Sequence, residues 1–191
     1  MSSPDRRTLI SDTAIATVAA AGLRGLTHRA IDSAAGLPAG STSYYFRTRT
    51  ALIGACCARI AELDLDDVES RDPVSREEAA VWLGALLHRW LTTGRERQLA
   101  RYELSLEAAR TPELEPALRR AGLAARARAV AIVAALGAAR PQEAAEVLVA
   151  WTEGVLFDRL AGAMARTRPA PDPAELTSVA RRMLDAALAG E

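Results

Sequence analysis

The sequence predicts an all-α fold of roughly nine helices, with a small three-helix unit at the N-terminus and a helical bundle behind it. Three observations carry this expectation. Half of the 191 residues are hydrophobic, enough for a sizeable core. Alanine, leucine and arginine dominate while β-branched residues are few, a mixture that favours helix over strand. Apolar residues recur at three- and four-residue spacing, and most glycines and prolines fall between the periodic runs.

Leu9, Ile10, Ala14, Val18 and Ala21 share one helical face, with Ser3 or Asp5 as a cap, Pro4 in the first turn and Gly22 as a stop. Thr27 is placed to cap a second helix that runs through Ile31, Ala34 and Ala35 to Gly36. Leu37-Pro38 makes a corner, and a third, short helix is expected from about Pro38 to Tyr45. Thr48 or Thr50 caps a longer helix with the buried stripe Leu52, Ile53, Cys56, Ile60 and Leu63, and an acidic segment over 64–72 ends at Pro73. Ser75 and Glu78 have capping-box spacing ahead of the stripe Trp82, Leu83, Leu86, Leu87, Trp90 and Leu91, which closes near Gly94.

From Tyr102 to Ala108 apolar and polar residues alternate as in a strand, yet they are helix formers. No β-branched residue occurs between 95 and 110, and no partner strand exists. A helix buried on more than one face is the expectation. Thr111 and Pro112 open a helix reaching about Gly137. Pro141 begins another, through Val147, Leu148, Trp151, Val155 and Leu160 to about Ala165. Three prolines between 167 and 173 precede a last helix ending in Leu184, Ala187 and Leu188.

Net charge is zero, and there is no lysine: all 24 basic residues are arginines. Residues 1–50 hold six arginines against three acids, and the remainder 18 against 21. A basic head on an acidic body directs any polyanion to the head. Adjacent Cys56 and Cys57 do not make an ordinary disulfide and read as buried thiols. With no leader-like segment and no apolar run long enough to span a bilayer, a soluble, cytoplasmic protein without membrane contact is expected. Two histidines without ligand spacing, no nucleophile motif and no glycine-rich phosphate loop point away from an enzyme, a metal site or a cofactor.

The stretch that carries chemistry is Thr27–Arg49. Two short helices joined by a glycine-containing corner, behind a first helix, form a helix-turn-helix candidate. Gly36 supplies a left-handed corner conformation, and Leu37 plugs the angle. Ala39, Gly40, Ser41 and Thr42 are small enough for backbone to sit deep in a major groove. Tyr44, Tyr45, Arg47 and Arg49 suit phosphate oxygens, and Thr27 brings a hydroxyl and a helix N-terminus to a phosphate. His28 reads as a solvent- or phosphate-side residue.

This layout resembles the N-terminal domain of the TetR family of bacterial transcriptional regulators. The family pattern is roughly Thr at the start of the second helix, then Ile-Ala-x-x-Ala-Gly-Val-Ser-x-Gly-Thr-Leu-Tyr-x-His-Phe-x-Ser-Lys-x-x-Leu. This chain reads Ile-Asp-Ser-Ala-Ala-Gly-Leu-Pro-Ala-Gly-Ser-Thr-Ser-Tyr-Tyr-Phe-Arg-Thr-Arg-Thr-Ala-Leu over 31–52, and its tyrosine-rich end is similar to actinobacterial members. The resemblance implies DNA contacts from Thr27, His28, Ala39, Gly40, Ser41, Thr42, Ser43, Tyr44, Tyr45 and Arg49, with base reading on Ser41, Thr42 and Ser43. Arg49 takes the place of the usual lysine, and Phe46 closes the core beneath the motif. Asp32 stands where a small apolar residue packs, so it must find a hydrogen-bond partner or face outward.

The resemblance also implies a division into a DNA-binding domain over 1–50 and an effector-binding, dimerising domain over 51–191. The expected protein is a homodimeric repressor that binds a palindromic operator in double-stranded DNA and is released by a small-molecule effector. Trp82, His88, Trp90, Tyr102, Glu103, Glu107 and Trp151 are candidate effector contacts. Val147, Trp151, Gly154, Val155, Ala161 and Gly162 are candidates for the dimer interface. The rival reading, favoured by Ala39 and Ser43, is a helical ligand-binding or scaffold protein that no longer binds DNA.

Overall fold

A computed structural model of the chain describes residues 5–68 and 73–189. Among these residues are nine α-helices, one short 3-10 helix and no strand. The helices are α1 (Arg6–Gly25), α2 (His28–Ala34), α3 (Ser41–Tyr45), α4 (Arg49–Val68) and α5 (Arg76–Leu91), then α6 (Arg95–Ala108), α7 (Glu115–Ala135), α8 (Pro141–Leu160) and α9 (Pro173–Leu188). The all-α expectation is met, including the helical assignment of 95–110.

Two compact units emerge: Met1–Asp64 with Glu96–Ala121, and Leu65–Arg95 with Gly122–Glu191. In the first, Ile10, Ala14 and Val18 of α1 share a core with Leu26, Ile31 and Phe46, the α4 residues Leu52, Cys56 and Ile60, and Leu104 of α6. Arg59 of α4 bridges Asp12 of α1 at 2.8 Å and its own Glu62 at 2.7 Å. Cys56 and Cys57 are free and buried. Burial, with Cys57 alongside, pushes the Cys56 thiol up to about 12, and burial pushes Cys57 up to about 11. Both stay protonated and behave as small apolar core residues.

In the second unit α5 packs closely on α9. A Cβ placed on Gly84 would lie 2.6 Å from the Thr177 Cα. Leu83 and Leu87 of α5 are buried, as are Leu176, Ala180, Met183 and Leu184 of α9. Arg181 reaches across to Glu77 at 2.7 Å.

Helix ends differ from the expectations in physically informative ways. α1 passes Gly22, where φ of 62° kinks it, and ends at Gly25. Ser75 caps α5 by accepting from the Glu78 N–H at 3.2 Å, and Glu78 accepts in return from the Val74 N–H, one residue before the cap. The acidic segment after residue 63 continues α4 to Val68, and its last four residues lie outside the described chain. α6 leaves Leu106 exposed but buries Gln98 as well as Ala100 and Leu104. Gln98 and Ala100 stand about 160° apart around the helix axis, so α6 is buried on more than one face, as expected. Thr111 makes no side-chain cap; a single 3-10 turn over Pro112–Leu114 precedes α7. α8 stops at Leu160 because the N–H groups of Ala161 and Gly162 both turn back to the Phe157 carbonyl, each at 2.9 Å.

Candidate nucleic-acid interface

The helix-turn-helix is built from its capping groups outward. Thr27 has extended backbone, and its Oγ1 accepts from the Ala30 N–H at 3.1 Å, which leaves the exposed hydroxyl hydrogen to point elsewhere. α2 closes on Gly36, whose φ of 63° lets the Leu37 N–H donate to the Asp32 carbonyl at 2.8 Å and the Gly36 N–H to Ser33 at 3.3 Å. This six-to-one and five-to-two pair is a Schellman closure, which requires the left-handed residue where glycine stands. Leu37 then packs against the core of the first unit.

The third helix is shorter than its sequence suggests. Pro38 does not begin it. The Ser41 N–H donates to the Pro38 carbonyl at 3.1 Å, Gly40 takes φ of 90°, and α3 runs only from Ser41 to Tyr45. Its N-cap residue is Gly40, which has no side chain to satisfy the first N–H groups. Asp32 supplies what is missing. Its Oδ2 accepts from the Gly40 N–H at 2.7 Å, and its Oδ1 accepts from the Thr42 N–H at 2.7 Å and the Thr42 hydroxyl at 2.6 Å.

Asp32 is only 4% exposed and Thr42 fully buried. Burial alone would raise the Asp32 pKa. The hydrogen bonds from Thr42 and Gly40, with the field of His28, outweigh it and hold the carboxyl below its ordinary value. The open choice for Asp32 thus resolves inward.

These bonds sort the expected DNA contacts. Thr42 turns its hydroxyl into the protein, which corrects its assignment as a base reader. Ser43 is exposed, and Ser41 is half-buried with its hydroxyl donating to the Pro38 carbonyl at 2.6 Å. Ala39 and Gly40 lie exposed ahead of the helix. Tyr44 is 80% exposed, whereas Tyr45 packs on the core, the two rings meeting edge-to-face at 5.2 Å. His28 is half-buried, and its Nε2–H donates to the Phe46 carbonyl at 2.6 Å, so it ties α2 to the end of α3 instead of facing solvent. The Arg49 guanidinium donates to the carbonyls of Leu23 and Leu26, which makes it a brace for the end of α1. Arg47 is exposed. Arg7, which sequence reasoning did not select, lies over the rings of Phe46 and Tyr45 at 5.2 and 5.8 Å.

The expected effector contacts divide between the units. Tyr102, Glu103 and Glu107 belong to the first; Trp82, His88, Trp90 and Trp151 belong to the second. Tyr102 lies beneath the Arg101 guanidinium at 4.7 Å, and Glu103 is exposed. Glu107 accepts from Arg110 and from the Thr111 hydroxyl, each at 3.4 Å, a helix-end role. Trp82, His88 and Trp90 are half-buried on α5, and Trp90 donates its Nε1–H to Asp67 at 2.9 Å. A small cleft of about 100 Å³ in the second unit lies among Ala138, Arg140, Glu143, Val147 and Leu188. None of the seven expected effector contacts lines it, and it is well below the roughly 300–1,000 Å³ of drug-sized sites.

The expected dimer residues also divide. Val147, Trp151 and Gly154 follow one another at helical spacing on α8 and are exposed, and Val155 flanks them, half-buried. Ala161 and Gly162 do not extend this face, because they form the turn that ends the helix. A Cβ on Gly162 would lie 2.6 Å from the Asp158 carbonyl oxygen, so the residue is small to let its own chain close.

Sequence reasoning missed two polar anchors. Buried Gln98 donates to Asp64 at 2.8 Å and accepts from Arg101 at 2.6 Å, but it sits in an arginine-rich run that gives no hint of burial. Asp67 lay in a segment read only as acidic. No group of three or more His, Cys, Asp or Glu residues among the described residues could hold a metal ion, and no helix among them is long and apolar enough to cross a membrane.

Comparison with known proteins gives the chain its place. The family described as tetracyclin repressor-like, C-terminal domain, matches residues 74–190. A TetR-family member from Streptomyces coelicolor A3 is 30% identical over 94% of this chain and 98% of its own, with a TM-score of 0.72. The multidrug binding protein EbrR, solved with proflavin, is 29% identical over 94% of this chain and 99% of its own, with a TM-score of 0.64. A transcriptional regulator from Rhodococcus sp. Rha1 has a TM-score of 0.82 over 97% of each chain, and at 18% identity that likeness speaks for the fold. No curated protein matches the sequence. With the family match over the C-terminal part and a similar TetR-family structure along nearly the whole length, the chain belongs to the TetR family of transcriptional regulators, non-enzymatic proteins that bind DNA and small-molecule ligands.

Proposed function

We propose that this protein is a cytoplasmic, ligand-responsive repressor that binds a palindromic operator as a homodimer and is released by a small-molecule effector. DNA binding is assigned to residues 1–50, effector binding and dimerisation to 51–191. The observation that carries the reading is the construction of α3. Its inward side is fixed by Thr42 and Tyr45, and its outward side offers Ser41, Ser43 and Tyr44 beside Arg47. Phosphate contacts fall to Thr27, Tyr44 and Arg47, and base contacts to the two serines. Arg49 and His28 support the interface from behind.

Effector contacts are proposed for the half-buried aromatic residues of α5, Trp82 and Trp90. EbrR, which is similar along nearly its whole length, has been solved with proflavin and with ethidium, so planar aromatic compounds are the first class to assay. Effector binding favours a conformation with low operator affinity and by linkage must itself weaken when operator is bound.

Fluorescence anisotropy with labelled fragments of the protein's own promoter region tests the reading. The expected result is binding to one short palindrome with a Kd on the order of 10⁻⁸ to 10⁻¹¹ M and a steep loss of affinity with salt. Absence of binding to every promoter fragment, by an intact dimer without effector, leaves the scaffold reading in its place.

A further inference from the structure

We propose that Asp32 and Thr42 form a two-residue lock that fixes the recognition helix α3 against α2, making Asp32 a positioning residue for sequence discrimination although it does not touch DNA. This role rests on the reading of α3 as the DNA-contacting helix.

A helix of five residues cannot hold itself in water, and α3 begins at a glycine without a capping side chain. Its first N–H groups are orphans that some acceptor must satisfy. The acceptor comes from another element. Asp32 lies in α2, and its two carboxylate oxygens receive three bonds, all from Gly40 and Thr42. Its backbone carbonyl takes the Leu37 N–H that closes α2. One residue therefore ends the first helix with its main chain and starts the second with its side chain. A buried carboxylate is tolerated where hydrogen bonds of this kind replace its water.

The two positions also depart together from the family pattern, which has alanine where Asp32 stands and leucine where Thr42 stands. An apolar pair at the joint has become a hydrogen-bonded pair. Removing the Thr42 hydroxyl alone takes one of three donors from a buried carboxylate, and changing Asp32 alone leaves the buried N–H and hydroxyl of Thr42 without their acceptor. The lock also sets the rotation of α3. Successive residues of a helix are separated by about 100°, so holding Thr42 inward places Ser41, Ser43 and Tyr44 outward. Loosening it blurs which side chains meet base edges but leaves the phosphate contacts proposed for Thr27 and Arg47, which lie outside α3, where they are.

Amide hydrogen exchange on the full chain without DNA, paired with binding to the promoter fragment chosen by the wild type and to a scrambled fragment, tests this. Asp32→Asn turns an acceptor oxygen into an NH₂ group facing N–H donors. The Gly40 and Thr42 amides should then exchange roughly tenfold faster or more, and operator affinity should fall by about the same factor. Affinity for scrambled DNA and the salt slope should hold. Thr42→Ser keeps the donor and should behave as wild type. Asp32→Ala combined with Thr42→Leu restores the apolar pair and should recover discrimination that Asp32→Ala alone loses, even if the single variants fold poorly.

The lock is refuted if the two amides exchange in Asp32→Asn as in the wild type, or if operator and scrambled affinities fall together. A wild type that binds no DNA refutes the DNA-binding reading and the positioning role with it. The exchange rates then report on the lock by themselves.

Discussion

At the scale of single residues, short hydroxyl side chains in one run have different tasks. Ser41, Thr42 and Ser43 look alike in sequence, and three equivalent base readers are the natural expectation. Thr42 is lost to that role because a carboxylate ten residues earlier takes its hydroxyl and its N–H. Asp32 was legible as an anomaly, a charge where a small apolar residue belongs, but its partner was not, since the corner at Gly36 and Gly40 decides which residue it faces. The prediction belongs to the two remaining serines and to Tyr44. Ser43→Ala and Ser41→Ala should change the order of preference among single-base operator variants, by about 1–3 kcal/mol at the affected position. Tyr44→Phe should weaken all sequences alike. Competition binding against a panel of operator variants separates the two behaviours, and uniform losses from the serine changes would refute the division between reading and positioning.

At the scale of helices, periodicity and caps located nearly every element, and the two misplaced starts, of α3 and α7, share one cause. Proline at 38 and at 112 permits a helix to start without requiring it, and the choice went to backbone bonds further along: a turn before α3 and a 3-10 turn before α7. Glycines mislead in the same way, because their spacing does not reveal what they face. Gly84 looks like any helical glycine, yet a Cβ there would meet the Cα, N and Oγ1 of Thr177 at 2.6–2.8 Å. Gly54, inside α4, has nothing within 4 Å. Opposite outcomes follow for the same substitution. Gly84→Ala should force α5 and α9 apart and cost about 1–3 kcal/mol, lowering Tm by roughly 2–4 °C for each kcal/mol in a chain of this size. Gly54→Ala should gain up to about 1 kcal/mol through helix propensity alone. Thermal unfolding followed by circular dichroism reads both, and a neutral Gly84→Ala would mean that the α5–α9 approach has slack.

At the scale of the whole molecule, the apolar residues left outside are as informative as the core. Val147 is 38% exposed and Trp151 44%, and they stand one turn apart on α8 with Gly154 continuing the same side. Leu148, Leu156 and Leu160 occupy the buried side of that helix, so α8 carries an apolar face inward and part of another outward. The amino-acid pattern announces an apolar helix; which residues line the second face depends on how α8 sits on its neighbours, and Ala161 and Gly162 fall outside it because the helix ends at Leu160. A two-fold pairing through this stripe brings each residue against its counterpart or a near neighbour. Trp151→Glu then places two buried like charges in the joint, and the expected product is a folded monomer with wild-type helicity, read by light scattering and circular dichroism. A dimer that survives the change would move the interface elsewhere. The consequence for DNA is larger than the area lost. In a dimer, binding of one recognition helix presents the second at millimolar effective concentration, and avidity of this kind is worth on the order of 10²–10⁴ in affinity. The Trp151→Glu monomer should therefore lose about that factor on the full palindrome, while its affinity for an isolated half-site stays near that of the wild type.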